Sequence, residues 1–363
     1  MQPLQQRGVP FPRHEGPGPG SATPDWEAVR IFLEVARRGS FRSAADHLGL
    51  SINALRRRIT ELEYQLGVTL FTRHVDGVRT TPEGAEILSA AGEMERASFS
   101  LVRARDRSSP AIVGEVRLAV TEGLGTFWLA PRLTEFQRAH PKLLVDLNCA
   151  MQSADVLRLE ADVSVQLTKP VNPDLKIVKL GRLHSMPFAG QAYINNYGTP
   201  KTLDELFKHR VVLQIAEQTA MQEIYDRIAA GVPQVGFVAL RTNVSSAHLW
   251  AITKGAGIGW LPTYVPALAA RITPVELDLR FRFDIWLTYH PDVARIPRVR
   301  RMIDWLVDSF DPKQFPWFRD EFIHPTDLPK SYRGAPIINM FEGFFGANSE
   351  SSLASRLKAK SIV

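Results

Sequence analysis

The stretch that most restricts how this chain can fold is SFRSAADHLGLSINALRRRITELEYQL, residues 40–66. It predicts a short helix, a tight turn and a longer helix. Ser40 and Ser51 stand at the two helix starts, where a hydroxyl accepts a backbone N–H. Gly49 and Gly67 stand at the two ends, where a left-handed residue is favoured. In the second helix the apolar residues recur at spacings of four, three and four, so they share one buried face.

The opposite face of the second helix carries groups that can read DNA bases. Asn53 and Arg57 fall opposite the apolar stripe, and Arg56 and Arg58 flank it. In a helix-turn-helix the N-terminal part of the second helix enters the major groove. There arginine pairs bidentately with guanine and asparagine with adenine. On this helix alone, a solvated basic helix of a small bundle is the competing interpretation.

The residues that follow favour DNA binding. Residues 68–71 and 78–80 predict two short strands, and an Asp-Gly pair between them is a strong tight-turn signal. A hairpin after a recognition helix makes a winged helix-turn-helix. Arg73, His74 and Arg79 would then reach the backbone or the minor groove.

Composition sets the class of protein. A chain of 363 residues and 40.6 kDa predicts two or three domains, each with its own core. The net charge of +6 favours an anionic partner only mildly. Cys149 is the only cysteine, which excludes an intrachain disulfide or a cysteine-based zinc site. No apolar run is long enough to span a bilayer, so we expect a cytoplasmic chain with no membrane partner.

Segments on either side of the winged domain have distinct patterns. Residues 1–22, rich in Pro, Gly and Gln, predict a disordered tail, and residues 23–81 the winged domain. Residues 82–107 predict a linker helix with a coiled-coil-like seam, for which a second copy of the chain is the simplest partner and packing on its own chain the alternative. The seam residues are Ile87, Ala91, Met94, Ser98 and Leu101.

From residue 114 onward, short apolar runs alternate with helical segments, which predicts an α/β domain with mostly parallel strands. Ligands on such sheets bind beyond the carboxyl ends of the strands, near helix N-termini. Loops 121–125 and 152–154 meet that description. The predicted strands are 115–120, 143–149, 163–167, 175–180, 211–214, 236–241, 258–261 and 284–289, and the predicted helices 127–139, 154–160, 202–207, 220–230, 245–254 and 262–269. A C-terminal extension, 311–363, is densely aromatic at 314–322 and is expected to pack back on this domain and then fray.

With these parts in this order, the chain resembles LysR-type transcriptional regulators over residues 25–310. The matching motifs are FLEVARRGSFRSAADHLGLS, LEYQLGVTLFTRHVDGVRTTPEG, LAPRLTEFQRAHP, EADVSV and GAGIGWLP. The resemblance implies a dimerising linker helix and an effector-binding domain at 114–310, similar to periplasmic binding proteins. Its two subdomains would be 114–183 plus 289–310, and 184–288, with strands crossing between them near 182–188 and 284–289. The implied partners are double-stranded promoter DNA, a small-molecule effector and further copies in a homodimer or homotetramer, with RNA polymerase as a further contact and no cofactor.

The resemblance also assigns site residues by position. The implied DNA-binding residues are Arg42, Ser51, Asn53, Ala54, Arg56, Arg57, Arg58, Arg73 and Arg79. The implied effector-binding residues are Thr121, Glu122, Gly123, Ser153, Val244 and Gly259. Glu122 places a negative charge beside the expected anion site, which argues against assuming a carboxylate effector.

Two other classes of protein compete with a regulator. For an enzyme, no hydrolase, metalloprotease or Walker motif is present, and the scattered histidines do not predict a metal site. Asp155, Glu160 and Asp162 could form a carboxylate cluster, but they fit better as surface and strand-edge residues. A solute-binding protein without DNA activity would need neither the arginine-bearing helix nor the wing.

Overall fold

The computed structural model describes residues 23–107, 112–219, 221–267 and 272–332, which form two compact units that divide after Val102. The predicted tail 1–22 and the end of the extension lie outside the described residues. The helices are α1 Trp26–Arg38, α2 Phe41–Leu48, α3 Ile52–Leu66, α4 Pro82–Arg107, α5 Glu122–Leu124, α6 Ala130–Ala139, α7 Gln191–Tyr197, α8 Leu203–Leu206, α9 Met221–Ile228, α10 Gln234–Phe237, α11 Ser245–Thr253, α12 Pro297–Ser309 and α13 Leu328–Ser331. The strands are β1 Phe71–His74, β2 Gly77–Thr80, β3 Gly114–Thr121, β4 Leu143–Ala150, β5 Val163–Gln166, β6 Lys176–Gly190, β7 Val211–Gln214, β8 Val238–Thr242, β9 Gly259–Pro262, β10 Ile272–Pro274 and β11 Phe281–Tyr289.

The helix-turn-helix forms for the local reasons that the sequence indicates. The Ser40 hydroxyl accepts the N–H of Ser43 at 3.5 Å, and the Ser51 hydroxyl accepts that of Ala54 at 3.1 Å. The glycines that follow α2 and α3 both have positive φ, as a left-handed helix end requires. Helices α1 to α3 bury one apolar cluster, in which Leu55 of α3 is completely buried.

The wing is a two-stranded antiparallel hairpin, but its first strand starts later than predicted. β1 spans Phe71–His74 instead of 68–71. The reason is that the backbone N–H groups just before β1 are hydrogen-bonded to Glu63 and not to a neighbouring strand. The Glu63 carbonyl accepts the N–H of Val68 at 3.2 Å, and its carboxylate accepts that of Leu70 at 2.7 Å. At the hairpin turn, a Cβ on Gly77 would lie 2.2 Å from the carbonyl oxygen of Gly39, so only glycine fits there.

The N-terminal half of α4 packs on its own chain. Ala91 is buried in the same cluster as α1 to α3, and Arg37 of α1 donates to Glu95 of α4 at 2.9 Å. Farther along, Met94 and Leu101 are 37% and 74% exposed. The predicted seam is therefore divided: one part is already buried within the chain, and the other remains available to a partner.

The second unit is built on a seven-stranded mixed sheet in the order β10-β6-β11-β5-β3-β4, with β9 also paired to β6. Strands β4, β3 and β5 are parallel, whereas β11, β9 and β10 pair antiparallel to their neighbours. The prediction of mostly parallel strands is thus wrong for this sheet, in which four of the six strand pairings are antiparallel. The physical reason is that β6 runs without a break for fifteen residues and offers its backbone to β9, β10 and β11, all of which pair with it in the antiparallel direction. A separate parallel pair, β7 and β8, forms a small second sheet.

The predicted helix at 154–160 is not formed. Residues 156–159 are turns, and Leu159 has a positive φ of 58°. The carboxylate of Asp155 accepts the N–H of Leu157 at 2.9 Å, and Glu160 accepts the N–H of Asp155 at 2.9 Å. These side chains compete with the backbone bonds that a helix would need. The carboxylate of Asp162 accepts the backbone N–H of Arg117 of β3 at 2.8 Å. The three acidic residues therefore serve local structure, as the interpretation without an active site predicts.

The described part of the C-terminal extension packs into the core of the second unit, as the aromatic density predicts. Phe315, Trp317 and Phe318 are each at most 4% exposed. Their rings surround Trp128 at centroid distances of 4.9, 5.4 and 5.0 Å. Trp128 in turn donates its indole N–H to the carbonyl of Ser309 at 2.9 Å.

No described helix is both long and apolar enough to cross a membrane. Among the described residues, no group of His, Cys, Asp and Glu side chains could hold a metal ion.

Candidate functional site

Helix α3 presents a row of guanidinium groups to solvent. The apolar stripe of Leu55, Ile59 and Leu62 is buried, so the intervening arginines point outward. The Arg57 side chain is 72% exposed, and its Nε lies 3.6 Å from Oε1 of Glu61. An exposed pair of this kind contributes about 0–1 kcal/mol, so it can be exchanged for a DNA contact at little cost.

The structure places the predicted DNA-binding residues at the surface of the first unit. All are exposed except Ala54, which is half-buried. The hydroxyl of Ser51 is already used to cap α3. The guanidinium of Arg56 lies 5.7 Å from the ring centre of Phe41, which steadies its direction. In the wing, Arg79 donates to Asp76 at 3.2 Å. A backbone hydrogen bond to the Asp76 carboxylate, and after it the guanidinium of Arg79, lower the pKa of that carboxyl.

The second unit holds a small cavity of about 70 Å³. It lies at the carboxyl end of β3, where the sequence places a ligand loop. Most of its wall is apolar or aromatic, and none of the described residues that line it is Asp, Glu, Lys or Arg. The lining residues are Thr121, Gly123, Leu124, Phe127, Met151, Leu167, Leu183, Ser185, Gln214, Thr219, Ser245, His248, Leu249, Trp260, Leu261, Pro262, Tyr264, Val265 and Phe283.

A buried hydrogen-bond network around Gln218 connects the end of β3 to neighbouring strands. Thr121 is 4% exposed and donates its hydroxyl to Oε1 of Gln218 at 2.7 Å. The same oxygen accepts the N–H of Leu167 at 2.9 Å, and the Gln218 amide donates to the carbonyl of Met151 at 3.0 Å. Gln218 thereby links the ends of β3, β4 and β5. The hydrogen of the Thr121 hydroxyl is already committed to this link.

Glu122, just after β3, closes the N-terminus of α11. Its carboxylate accepts the N–H of Ser245, the first residue of α11, at 2.6 Å, and accepts the hydroxyl of Thr126 at 3.3 Å. A Cβ on Gly123 would lie 2.9 Å from Oγ of Ser245, so glycine permits this close approach. The negative charge of Glu122 adds to burial in raising the pKa of Tyr264.

His248 is a fully buried histidine of the cavity wall. Its Nε2 lies 3.0 Å from the carbonyl oxygen of Val212, which can only accept, so Nε2 carries the hydrogen. Burial lowers the pKa of His248 from 6.5 to about 4, so the imidazole is neutral near pH 7. Nδ1 is then a bare acceptor, buried and without a hydrogen-bond partner in the described part of the chain.

Two family models match the chain, one in each of its two units. Residues 26–85 match the bacterial regulatory helix-turn-helix protein model of the LysR family, and residues 109–311 match the LysR substrate binding domain. The second match alone covers more than half of the chain. The chain belongs to the LysR family. It is a family of transcriptional regulators and not of enzymes, and the predicted fold, a helix-turn-helix domain followed by an α/β effector domain, is confirmed.

Named relatives and a solved structure agree with this assignment. A protein of Xanthomonas campestris, named an HTH-type transcriptional regulator, is 33% identical over 52% of this chain and 55% of its own length. A Klebsiella pneumoniae protein, the probable HTH-type transcriptional regulator LtrA, is 24% identical over 77% of this chain and 93% of its own length. The crystal structure of a full-length variant of AphB, a Vibrio cholerae protein, matches with a TM-score of 0.50 at 17% identity, over 77% of this chain and 97% of that one. The chain spans only about half the length of the Xanthomonas relative, and the match to AphB concerns the fold alone.

The effector residues assigned by position are not equally placed in this LysR protein. Thr121 and Gly123 line the cavity, whereas Glu122, Ser153, Val244 and Gly259 do not. Ser153 is exposed, and Val244 is the N-cap residue of α11 at 37% exposure. A Cβ on Gly259 would lie 2.9 Å from Nε2 of His248, so glycine leaves room for the imidazole.

Sequence reasoning missed several side chains that the LysR fold brings to the cavity. Gln214, Ser245 and His248 are polar members of the lining, and Gln218 braces it. Only Ser245 carried a usable signal, since it stands at the predicted start of a helix that follows a strand. The others come from separate segments whose convergence depends on the sheet.

The buried histidine makes a testable contribution to stability. Between pH 6.5 and about 4 the unfolded chain takes up a proton at residue 248 that the folded chain refuses, so this contribution is lost as the pH falls. We expect wild type to lose up to roughly 3 kcal/mol more than His248→Gln over this range. Urea unfolding at several pH values measures the difference. Parallel pH profiles of the two proteins would show that His248 is not held neutral in the fold.

Proposed function

We propose that this LysR protein is a sequence-specific DNA-binding transcriptional regulator controlled by a small molecule bound in the cavity of its second unit. The observation that carries the proposal is the row of exposed arginines on the N-terminal half of α3, opposite the buried stripe. Family membership supports the same conclusion. A cytoplasmic location, where promoter DNA would be reached, belongs to the proposal.

The geometry of the first unit supports the DNA contacts that we propose. Helix α3 would enter the major groove, with Arg57 and Asn53 directed at base edges. Arg73 and Arg79 of the hairpin would contact the backbone or the minor groove. Arg42 at the start of α2 would contact a phosphate. The exposure of all these side chains supports this arrangement.

A homodimer or homotetramer is the assembly that fits such a DNA surface. Two symmetry-related copies of α3 would read a two-fold site, as helix-turn-helix dimers do. The exposed Met94 and Leu101 on α4 offer apolar surface for the pairing. RNA polymerase is the further contact that a regulator bound at a promoter would make.

The effector role rests on the cavity at the carboxyl end of β3. It has the concave shape and the mainly apolar wall, with a few polar groups, that small-molecule sites have. The strands β6 and β11 run past it as one long antiparallel pair. They are the segments at which the two predicted subdomains would move relative to each other when a ligand binds.

Binding to DNA and its salt dependence test the proposal. Fragments selected from a random DNA pool by the full-length protein would be titrated by fluorescence anisotropy between about 50 and 200 mM salt, a range over which phosphate contacts weaken strongly. We expect a log–log slope steeper than about −3, because each neutralised phosphate adds about −0.9. Absence of binding at the lowest salt, or a flat salt profile, would overturn the regulator assignment.

A further inference from the structure

The first residues of the C-terminal extension reach β6, the strand that leads from one predicted subdomain to the other. Before they do so, the aromatic residues of 315–318 surround Trp128, which belongs to the first predicted subdomain. A Cβ on Gly181 of β6 would lie 2.8 Å from the carbonyl oxygen of Phe318, so glycine permits the extension to approach the strand closely. The extension is therefore anchored in the first predicted subdomain at the point where it meets β6.

The next residues of the extension lie against the outer face of the strand pair β6–β11, the face that carries Arg182, His184 and Asp284. Lys179 of β6 donates to Asp320 of the extension at 2.6 Å, and its Nζ also lies 3.2 Å from Asp284 of β11. Arg182 donates to Asp284 at 2.8 Å, and its Nε lies 3.5 Å from Asp320. Two cations of β6 are thus shared between an aspartate of β11 and an aspartate of the extension.

The contacts of the extension continue onto the second predicted subdomain. Nε2 of His184 lies 3.0 Å from the carbonyl oxygen of Arg319, which can only accept, so the imidazole donates this hydrogen bond. The ring of Phe322 packs edge-on against the same imidazole at 5.8 Å between ring centres. On the segment between β10 and β11, the guanidinium of Arg280 lies 4.3 Å from the centre of the Phe322 ring. The extension therefore contacts both predicted subdomains and crosses the strand that joins them.

The same pair of strands forms a wall of the cavity on its other face. Leu183 and Phe283 are cross-strand partners, and both line the cavity. Arg182 and His184, the neighbours of Leu183, point to the outer face because successive side chains of a strand alternate between its two faces. The cavity and the extension are therefore separated by the thickness of one sheet, and a movement of β6 and β11 that reshapes the cavity also moves the contacts of the extension.

We propose that residues 319–322 form a strap across the outer face of β6 and β11 that restrains the movement of one predicted subdomain against the other. The inference goes beyond the proposed function, because the strap acts whether or not the chain binds DNA or an effector. The side chain of Asp320 is 62% exposed, so its ion pairs are individually weak. A restraint made of such contacts can be released without unfolding the aromatic core around Trp128.

Hydrogen–deuterium exchange of the full-length protein, read by mass spectrometry, tests the proposal. The double change Asp320→Lys and Phe322→Ala releases the strap, since it reverses the charge beside the two cations of β6 and removes the ring beneath Arg280. We expect the amides of β6 and β11 to exchange about tenfold faster than in wild type, the effect of losing a few weak contacts on a local opening. The amides of β3 and β4, at the far side of the sheet, should keep their wild-type rates.

A distance measurement tests whether the subdomains themselves are restrained. Leu144 of β4 and Tyr197 of α7 are 60% and 66% exposed and lie in different predicted subdomains. Nitroxide labels on Leu144→Cys and Tyr197→Cys, in a Cys149→Ser background, report the distance between them by double electron–electron resonance. The labelled chain is diluted with unlabelled chain so that only distances within one chain are read. We expect a broader distance distribution when the strap is released than when it is intact.

Asp327→Lys is the matched control for both measurements. Asp327 is also an exposed aspartate of the extension with a lysine partner, Lys330 at 2.9 Å, but both partners of this pair belong to the extension. We expect this variant to exchange and to distribute its distances as wild type does. The proposal is overturned if the released strap leaves exchange or distances unchanged, or if the control changes them equally. Faster exchange that extends equally to β3 and β4 would also overturn it, because that result describes a general loss of stability.

Discussion

Replacing Arg57 with alanine is expected to weaken binding to a selected DNA site by about 1–3 kcal/mol, the range for a bidentate contact between arginine and guanine. Arg57 projects from the middle of the exposed face of α3, and its partner Glu61 is itself at the surface. The change would therefore remove the proposed base contact without disturbing the core. Anisotropy titrations of wild type and variant on the same fragment measure the loss.

Two further variants identify what Arg57 contributes. Arg57→Lys keeps the charge but not the planar fork, so we expect it to retain non-specific binding and to lose most of the specificity. Arg300→Ala is the matched control, because Arg300 is also a surface arginine paired with an acidic residue four positions away, but on the second unit. If Arg57→Ala binds the selected fragment as tightly as Arg300→Ala does, Arg57 does not read a base.

Replacing Trp317 with alanine is expected to lower the free energy of unfolding of the second unit by about 3–5 kcal/mol, the usual cost of emptying a large aromatic site. Trp317 is 1% exposed and packs edge-on against Trp128 with 5.4 Å between ring centres. It also contacts Tyr332 at a ring distance of 5.2 Å, so Trp317 packs on Trp128 of the domain and on a later residue of the extension itself. Urea unfolding of the full-length chain, followed by tryptophan fluorescence, measures the loss.

The phenylalanine variant is the control for this prediction. The indole N–H of Trp317 is buried without a partner in the described part of the chain, so Trp317→Phe gives up ring volume but no hydrogen bond. We expect a smaller loss, about 1–2 kcal/mol. A loss below about 1 kcal/mol in Trp317→Ala would mean that the extension is a surface appendage and not part of this core.

The prediction from sequence succeeded where the signal is local. The serine caps of α2 and α3 and the glycines after them involve residues at most a few positions apart, so the pattern alone places both helices. The same holds for the direction of Arg57, which follows from the burial of Leu55 and Ile59 on the other side of the helix. The prediction of a helix at 154–160 failed, because the carboxylates of Asp155 and Glu160 accept the backbone N–H groups that a helix would use.

The candidate cavity could be predicted only in its location. The sequence placed a ligand loop after β3, and Thr121 and Gly123 do line the cavity. Helical and strand periodicity carry no information on which distant residue meets them. Gln218 lies 97 positions from Thr121, and Ser245 lies 123 positions from Glu122, yet each pair is joined by a direct hydrogen bond.

The sequence by itself determined the helix-turn-helix, its exposed arginines, the alternation of strands and helices and the family to which the chain belongs. Hydrogen bonds and burial within one or two turns set those features, so the order of residues is sufficient. Only the tertiary structure decided the antiparallel pairings of the large sheet, the place of Trp317 in the core and the capture of the α11 N-terminus by Glu122. Those depend on which segments the sheet brings side by side, and that choice is made by packing of the whole unit.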